Sequence, residues 1–191
     1  MSILINNNDF LNTNAYSEWL NSDRAKQLSE LDYEIVPLTK QHANLPFKNG
    51  KVSWTVKDFL HDNDTSGRQA FSLLLRGKSD VLLAVFTIEY PANNKCKGID
   101  ECLKLEAIMK NSGLEKNKII IGIIQSLDCL ALLLGLKCVQ LDAVENLFKI
   151  KYYHKVGYKK CGNPYNSTED GKLYPMRKKA YCQNQSNDEE R

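Results

Sequence analysis

The chain has 191 residues, 42% hydrophobic and 26% charged, a balance that fits one globular domain with a sizeable core and excludes a low-complexity polymer. A net charge of +3 permits a polyanionic ligand such as a nucleotide cofactor, but is too weak to argue for nucleic acid. No signal peptide is expected from Met1-Ser-Ile-Leu-Ile5, and no membrane span from 119–136, where Gln125, Ser126 and Asp128 interrupt the apolar run.

In chain order, residues 1–12 are asparagine-rich, and Thr13 or Asn14 can cap a helix over 15–31 with Trp19, Leu20 and Leu28 as a sparse apolar face. Leu31 to Leu38 reads as a strand closed by Pro37, and Leu45 to Gly50 as a loop. Val52 to His61 is expected to be helical, with Trp54, Phe59 and Leu60 as apolar contacts. Gln69 to Arg76 and Val81 to Tyr90 form a hairpin around Gly77-Lys-Ser-Asp80.

Leu103 to Met109 alternates as a third long strand, with Lys104, Glu106, Ile108 and Lys110 on one face and Leu103, Leu105, Ala107 and Met109 on the other. A long apolar helix follows, then a buried strand at Lys137 to Leu141. Next comes a short helix with Leu147, Ile150 and Tyr153 on one face and Lys149, Lys151 and Lys155 largely on the other, stopped by Gly157. A short strand begins at Tyr158, and Leu173 to Arg177 is the last strand-like run. The alternation predicts an α/β architecture of mixed α+β type, a sheet with helices on both faces. One domain is expected over 31–180, after a helical extension at 1–30 and before a disordered polar tail at 181–191.

Six cysteines, at 96, 102, 129, 138, 161 and 182, lack any Cys-x-x-Cys spacing, and the three histidines lie far apart, so no metal site is expected. Cys129 and Cys138 sit in apolar runs, where a thiol acts as a small core residue. Reduced thiols in a cytoplasmic compartment are the expectation. His154 is read as a surface residue, His42 and His61 as loop or loop-side residues without a partner. The basic cluster Arg177-Lys178-Lys179, with Lys159 and Lys160, is read as a solvated rim.

The stretch Asn146-Leu-Phe-Lys149-Ile150-Lys-Tyr152-Tyr153-His-Lys155-Val-Gly157-Tyr158 resembles Asn-x-x-Ala-Ile-x-Phe-Tyr-x-Lys-x-Gly-Phe, a signature of the GNAT superfamily of acyl-CoA-dependent N-acyltransferases. Lys149 stands in place of the alanine. The order of elements from Tyr33 to Lys179 is also the GNAT order, so the resemblance implies a GNAT-type, mostly antiparallel twisted sheet. Phe47-x-Asn-Gly50, then Trp54 to Leu60, is similar to a Phe-x-Cys-Gly-x-x-x-Leu-x-x-Phe-Leu motif, without its cysteine. That motif marks a branch which includes the acetyltransferase toxins of toxin–antitoxin pairs.

The family motif that holds the cofactor pyrophosphate reads Arg/Gln-x-x-Gly-x-Gly/Ala, a turn opening a helix whose amides and dipole favour anions. Here the matching residues are Glu115, Lys116, Asn117, Lys118, Ile119 and Ile120, with neither glycine, although Gly113 and Gly122 flank the turn. By resemblance, Glu106 accepts the amine proton, Tyr153 protonates the departing thiolate, and the backbone of Ile108, Met109 and Lys110 holds the pantetheine arm. Asn146 falls where a side-chain amide contacts the cofactor, and equally suits a helix N-cap.

The resemblance therefore implies an N-acetyltransferase that uses acetyl-CoA as co-substrate and a primary amine as acceptor. Two alternatives stay open: a catalytically weakened GNAT-like interaction module, and a toxin-type enzyme acting on aminoacyl-tRNA. The oligomeric state is open, a homodimer included.

Overall fold

The computed structural model describes residues 17–19, 33–48, 54–63, 67–90, 96, 102–112, 116–168 and 170–180. The strands are β1 (Tyr33–Pro37), β2 (Arg68–Leu75), β3 (Lys78–Glu89), β4 (Cys102–Lys110), β5 (Cys138–Val144), β6 (Lys159–Lys160), β7 (Tyr165–Ser167) and β8 (Gly171–Lys179). The helices are α1 (Val56–Asp62), α2 (Lys116–Leu133) and α3 (Leu147–Lys155). The strands form one sheet in the order β1-β2-β3-β4-β5-β8-β6, with β7 also paired to β8. Every ladder is antiparallel except β4–β5.

Helices cover both faces because the strands are apolar on both. Ile119, Ile123, Leu127 and Leu130 of α2 and Ile150 of α3 join Leu73, Phe86, Leu103 and Leu141 in one core. Val56 and Phe59 of α1 join Ala70, Leu74, Val85 and Met109 in a second core on the opposite face. At about 25 cal/mol per Å² of apolar surface removed from water, burial on both faces is the main source of stability. Trp19 is fully buried, lies edge-on to Phe71 with ring centroids 5.4 Å apart, and donates from Nε1 to the Ser126 carbonyl at 2.9 Å. That contact places the described part of the expected N-terminal helix, 17–19, against the α2 side of the sheet.

The hairpin is tighter than its sequence implied. Leu75 pairs with Lys78, so Arg76 and Gly77 alone make the turn, and Gly77 takes φ +73°. Helix α1 starts at Val56, later than expected, where the Asp58 carboxylate accepts the backbone N–H of Thr55 at 2.6 Å. The helix stop at Gly157 holds, with φ +95°.

Gly122 has a packing role. A Cβ there would lie 2.6 Å from the Tyr33 hydroxyl, so the missing side chain lets β1 and α2 approach.

The cysteines correct the expectation of reduced thiols. Cys102 stands opposite Cys138 in the parallel β4–β5 ladder, and the pair is disulfide-bonded with Cα atoms 4.9 Å apart. Cys96 and Cys161 form a second disulfide across a separation of 65 residues. Strand register brings Cys102 and Cys138 together, and local spacing carried no sign of either pair. The pairing also removes the thiol-based argument for a cytoplasmic compartment. Among the described residues, no helix is long and apolar enough to cross a membrane.

Candidate active site

The site begins where two strands part. The parallel ladder between β4 and β5 runs from Cys102↔Cys138 to Leu105↔Leu141 and ends there, while β4 continues to Lys110 and β5 to Val144. A wedge therefore opens between 106–110 and 142–144, and the Cys102–Cys138 disulfide clasps its closed end. On its other edge β4 stays paired to β3 through Phe86↔Ile108, Val85↔Met109 and Ala84↔Lys110.

Strict alternation along β4 fails at the mouth of this wedge. Thr87 pairs with Ala107 and Ile88 with Leu105, which leaves Glu106 as the extra residue of a β-bulge. Ile108 thus joins the core containing Leu103 and Leu105, while Ala107 and Met109 pack on the α1 side. The predicted two-faced assignment is wrong beyond Glu106, because a one-residue bulge exchanges the faces.

Glu106 meets two cations. Its Oε1 accepts from Arg68 Nη2 at 2.8 Å, and its Oε2 lies 2.5 Å from Lys104 Nζ. Lys104 also contacts Asp142 Oδ2 at 2.8 Å and, more distantly, Glu89 Oε2 at 3.7 Å. Arg68 in turn pairs with Asp62 Oδ1 at 3.3 Å and with Glu89 Oε1 at 3.7 Å. Thr87 Oγ1 donates to Asp62 Oδ2 at 2.7 Å, and Tyr165 Oη donates to Asp142 Oδ2 at 2.8 Å. Burial opposes charge on Lys104, but the carboxylates of Asp142 and Glu106 outweigh it and hold the ammonium well above the ordinary lysine range. Burial, followed by the Asp142 hydrogen bond and charge, pushes the Tyr165 phenol up as well.

Local contacts fix the elements that carry these groups. Asn63 Oδ1, just past α1, accepts from the Ala70 and Gln69 Nε2 N–H groups at 2.7 and 3.1 Å. This joins the Asp62 end of α1 to the start of β2. Asn111 accepts from the Lys48 N–H at 3.2 Å and donates to the Leu82 carbonyl at 3.0 Å, tying the loop before α1 to the far end of β4.

Tyr153 lies on α3, packed against the α2-side core. Its ring meets Tyr152 and Tyr158 edge-on at 5.7 and 5.9 Å, and burial raises its phenol above the ordinary value. Such a phenol keeps its proton at neutral pH. Asn146 Oδ1 accepts from the Lys149 N–H at 3.3 Å, which is N-cap geometry for α3. Among the described contacts, Glu106 and Tyr153 share no direct bond: Glu106 belongs to the ion-pair network and Tyr153 to the aromatic cluster.

Of the expected pyrophosphate turn, Glu115 lies outside the described residues, and Lys116, Asn117, Lys118, Ile119 and Ile120 form the first five residues of α2. Ile119 is fully buried in the core. The helix start offers its backbone amides, which lack intrahelical acceptors in the first turn.

Three readings of polar residues change. His42 Nδ1 lies 3.0 Å from Ser72 Oγ, so it has a partner. His61 lies within α1, while His154 is exposed as expected. Lys178 leaves the solvated rim to pair with Asp128, whose carboxyl burial pushes up to about 6 against the opposing pull of that lysine. The residues that sequence reasoning missed are Arg68, Lys104, Glu89 and Asp142; the one available signal was a lysine inside a buried strand.

No family model matches the sequence, and neither does any curated protein. Solved structures do match. The ribosomal-protein-S18-alanine N-acetyltransferase from Escherichia coli aligns with a TM-score of 0.53 at 14% identity, over 78% of this chain and 95% of that one. A mutant of the spermidine N-acetyltransferase from Vibrio cholerae aligns with a TM-score of 0.51 at 14% identity, over 78% of this chain and 94% of that one. The chain has the fold of the GNAT N-acetyltransferases.

Proposed function

We propose that the protein is an N-acetyltransferase that moves an acetyl group from acetyl-CoA to a primary amine by direct attack. The observation that carries this reading is the wedge between β4 and β5, with the bulged Glu106 at its mouth. The fold supports acyl transfer in general; the named residues are our assignment.

Between 108 and 110, β4 has one edge bonded to β3 and the other turned to the wedge, with no ladder to β5 among the described residues. An extended pantetheine arm fits such an edge as an added strand, and an amide from Ile108, Met109 or Lys110 would polarise the thioester carbonyl. The amides opening α2, over Lys116 to Ile120, lie on the chain that leaves β4, where they suit the pyrophosphate. Glu115 and Asn146 complete the assigned cofactor contacts, Asn146 being tied also to its capping bond.

The neutral amine nitrogen bonds to the acetyl carbon, and its proton passes to the Glu106 carboxylate. As the carbon–sulfur bond breaks, Tyr153 gives its phenolic proton to the thiolate. Solvent then takes the proton from Glu106 and restores the one on Tyr153. Both donations need positioned groups, each contributing roughly 10²–10⁴-fold.

Tyr153→Phe tests the acid. It keeps the ring contacts to Tyr152 and Tyr158 and removes the proton, so kcat is expected to fall about 10²-fold with KM for acetyl-CoA little changed. Steady-state kinetics with a thiol-release assay reads both. Unchanged turnover would remove Tyr153 from the mechanism.

A further inference from the structure

A charged pair separate from the Glu106 network lies on the α2 side of the sheet. Asp128, in the second half of α2, pairs with Lys178 of β8, and the two side chains are 5% and 10% exposed. Lys178 stands opposite Val139 in the β5–β8 ladder, between Met176 and Ala180 on the face that α2 covers. Its stem passes the stop of α3, since a Cβ at Gly157 would lie 3.9 Å from Lys178 Cδ. Its ammonium sits 5.3 Å from the centre of the Tyr158 ring. Tyr158 is fully buried, meets Tyr153 edge-on at 5.9 Å, and donates its backbone N–H to the Tyr153 carbonyl at 3.0 Å. Contacts therefore run without a break from the pair, through Tyr158, to the phenol assigned as the acid.

The pair is a poor source of stability. Burial pushes the Asp128 carboxyl up to about 6 against the pull of Lys178, so desolvation outweighs the attraction. Because the folded value lies above the ordinary 3.8, the cost is full above about pH 6 and is gone below 3.8. Asp128 Oδ1 and Tyr158 Oη add to it, both buried and without a hydrogen-bond partner. Apolar side chains of similar volume in place of such a pair are often neutral or stabilising, so its presence calls for another role. Among the described residues, the groups that act on Asp128 are Lys178 from β8 and Tyr158, with Tyr153 of α3 behind it. Tyr33 of β1 meets α2 at Gly122 instead, and Trp19, Leu103 and Val139 of the shared core carry no charge.

We propose that Asp128 and Lys178 are positioning residues for Tyr153, holding its phenol in place through the Tyr158 ring. This rests on the reading of Tyr153 as the acid. Ionised Asp128 keeps the ammonium beside the Tyr158 ring, whose face attracts a cation. That ring sets both the edge contact and the backbone bond at the end of α3. Once Asp128 takes a proton, Lys178 loses its counter-charge and the ring loses its anchor.

The test is an NMR titration, from about pH 5 to 8, of cofactor-free protein labelled with carbon-13 at tyrosine Cζ, the Tyr153 signal being assigned with Tyr153→Phe. Every sample carries His154→Gln, because an imidazole next to Tyr153 in sequence would ordinarily titrate in the same range. The Tyr153 signal is expected to shift with a midpoint near pH 6, and to stay flat when Asp128→Leu and Lys178→Met are combined. The combined variant should have a denaturation midpoint no lower than its parent. Its kcat for acetyl transfer should fall about 10- to 100-fold, with KM for acetyl-CoA unchanged. A flat Tyr153 signal in the parent, a shift that persists in the combined variant, or a combined variant with undiminished kcat would overturn the proposal. So would a combined variant that unfolds, because the pair would then be a structural support. The NMR titration contains no acetyl-CoA, so its failure leaves the acetyl-transfer reading standing, and an absence of turnover in the parent leaves the positioning result standing.

Discussion

Glu106→Gln is expected to lower kcat/KM for acetyl transfer by about 10³-fold, within the range for losing a positioned base. The substitution keeps the side chain's length and its acceptor oxygen, so Arg68 retains a partner at the position now 2.8 Å from Oε1. It removes the carboxylate proposed to receive the amine proton. Affinity for acetyl-CoA should change little, because the assigned cofactor contacts lie on the β4 backbone and at the start of α2. Kinetics at saturating acetyl-CoA, with the cofactor Kd measured separately, divides the two effects. A parallel collapse of cofactor binding would mean that Glu106 holds the wedge open and is not a base.

Lys104→Met should destabilise the fold by about 3–5 kcal/mol, the usual result of removing one partner from a buried ionic cluster. Methionine nearly preserves the volume, but it leaves Asp142 and Glu106 without the ammonium at 2.8 and 2.5 Å. Lys104→Arg keeps the charge in a planar fork that fits the present partners less well, so it should lose less. Chemical denaturation at pH 7 provides the comparison. The sign of the pH dependence is fixed by the raised lysine pKa. The favourable contribution is complete below the ordinary value of 10.5, and is lost only as pH climbs toward the higher folded value. Variant and wild type should therefore differ by a constant amount from neutral pH up to about pH 9. A loss below about 1 kcal/mol would mean that the cluster is relaxed and solvated.

Local sequence carried the parts of this fold whose determinants are local. The helix from Leu147 to Lys155 and its stop at Gly157 depend on residues within a few positions of one another. The strand at Leu103 to Met109 and its carboxylate were also legible. Glu106's surroundings were not, because Arg68 reaches it across 38 residues and the bulge that turns it is set by register with β3. Cys102 and Cys138 lie 36 residues apart and meet only because β4 and β5 run parallel. The role of Gly122 was hidden for the same reason, since it depends on Tyr33 in the first strand. A lysine at 104 looked like an ordinary solvent-facing residue of a half-buried strand. Burial against three carboxylates makes it the hub of the site.

Acetyl transfer by this chain requires that the wedge and the glycine-free start of α2 hold the cofactor. Calorimetric titration of the purified chain with acetyl-CoA, with a desulfo analogue as control, asks this most directly. Micromolar binding is the predicted result, with backbone amides of Lys116 to Ile120 standing in for the glycine turn. An absence of heat at millimolar acetyl-CoA would contradict it and leave a GNAT fold without acyl-transfer chemistry.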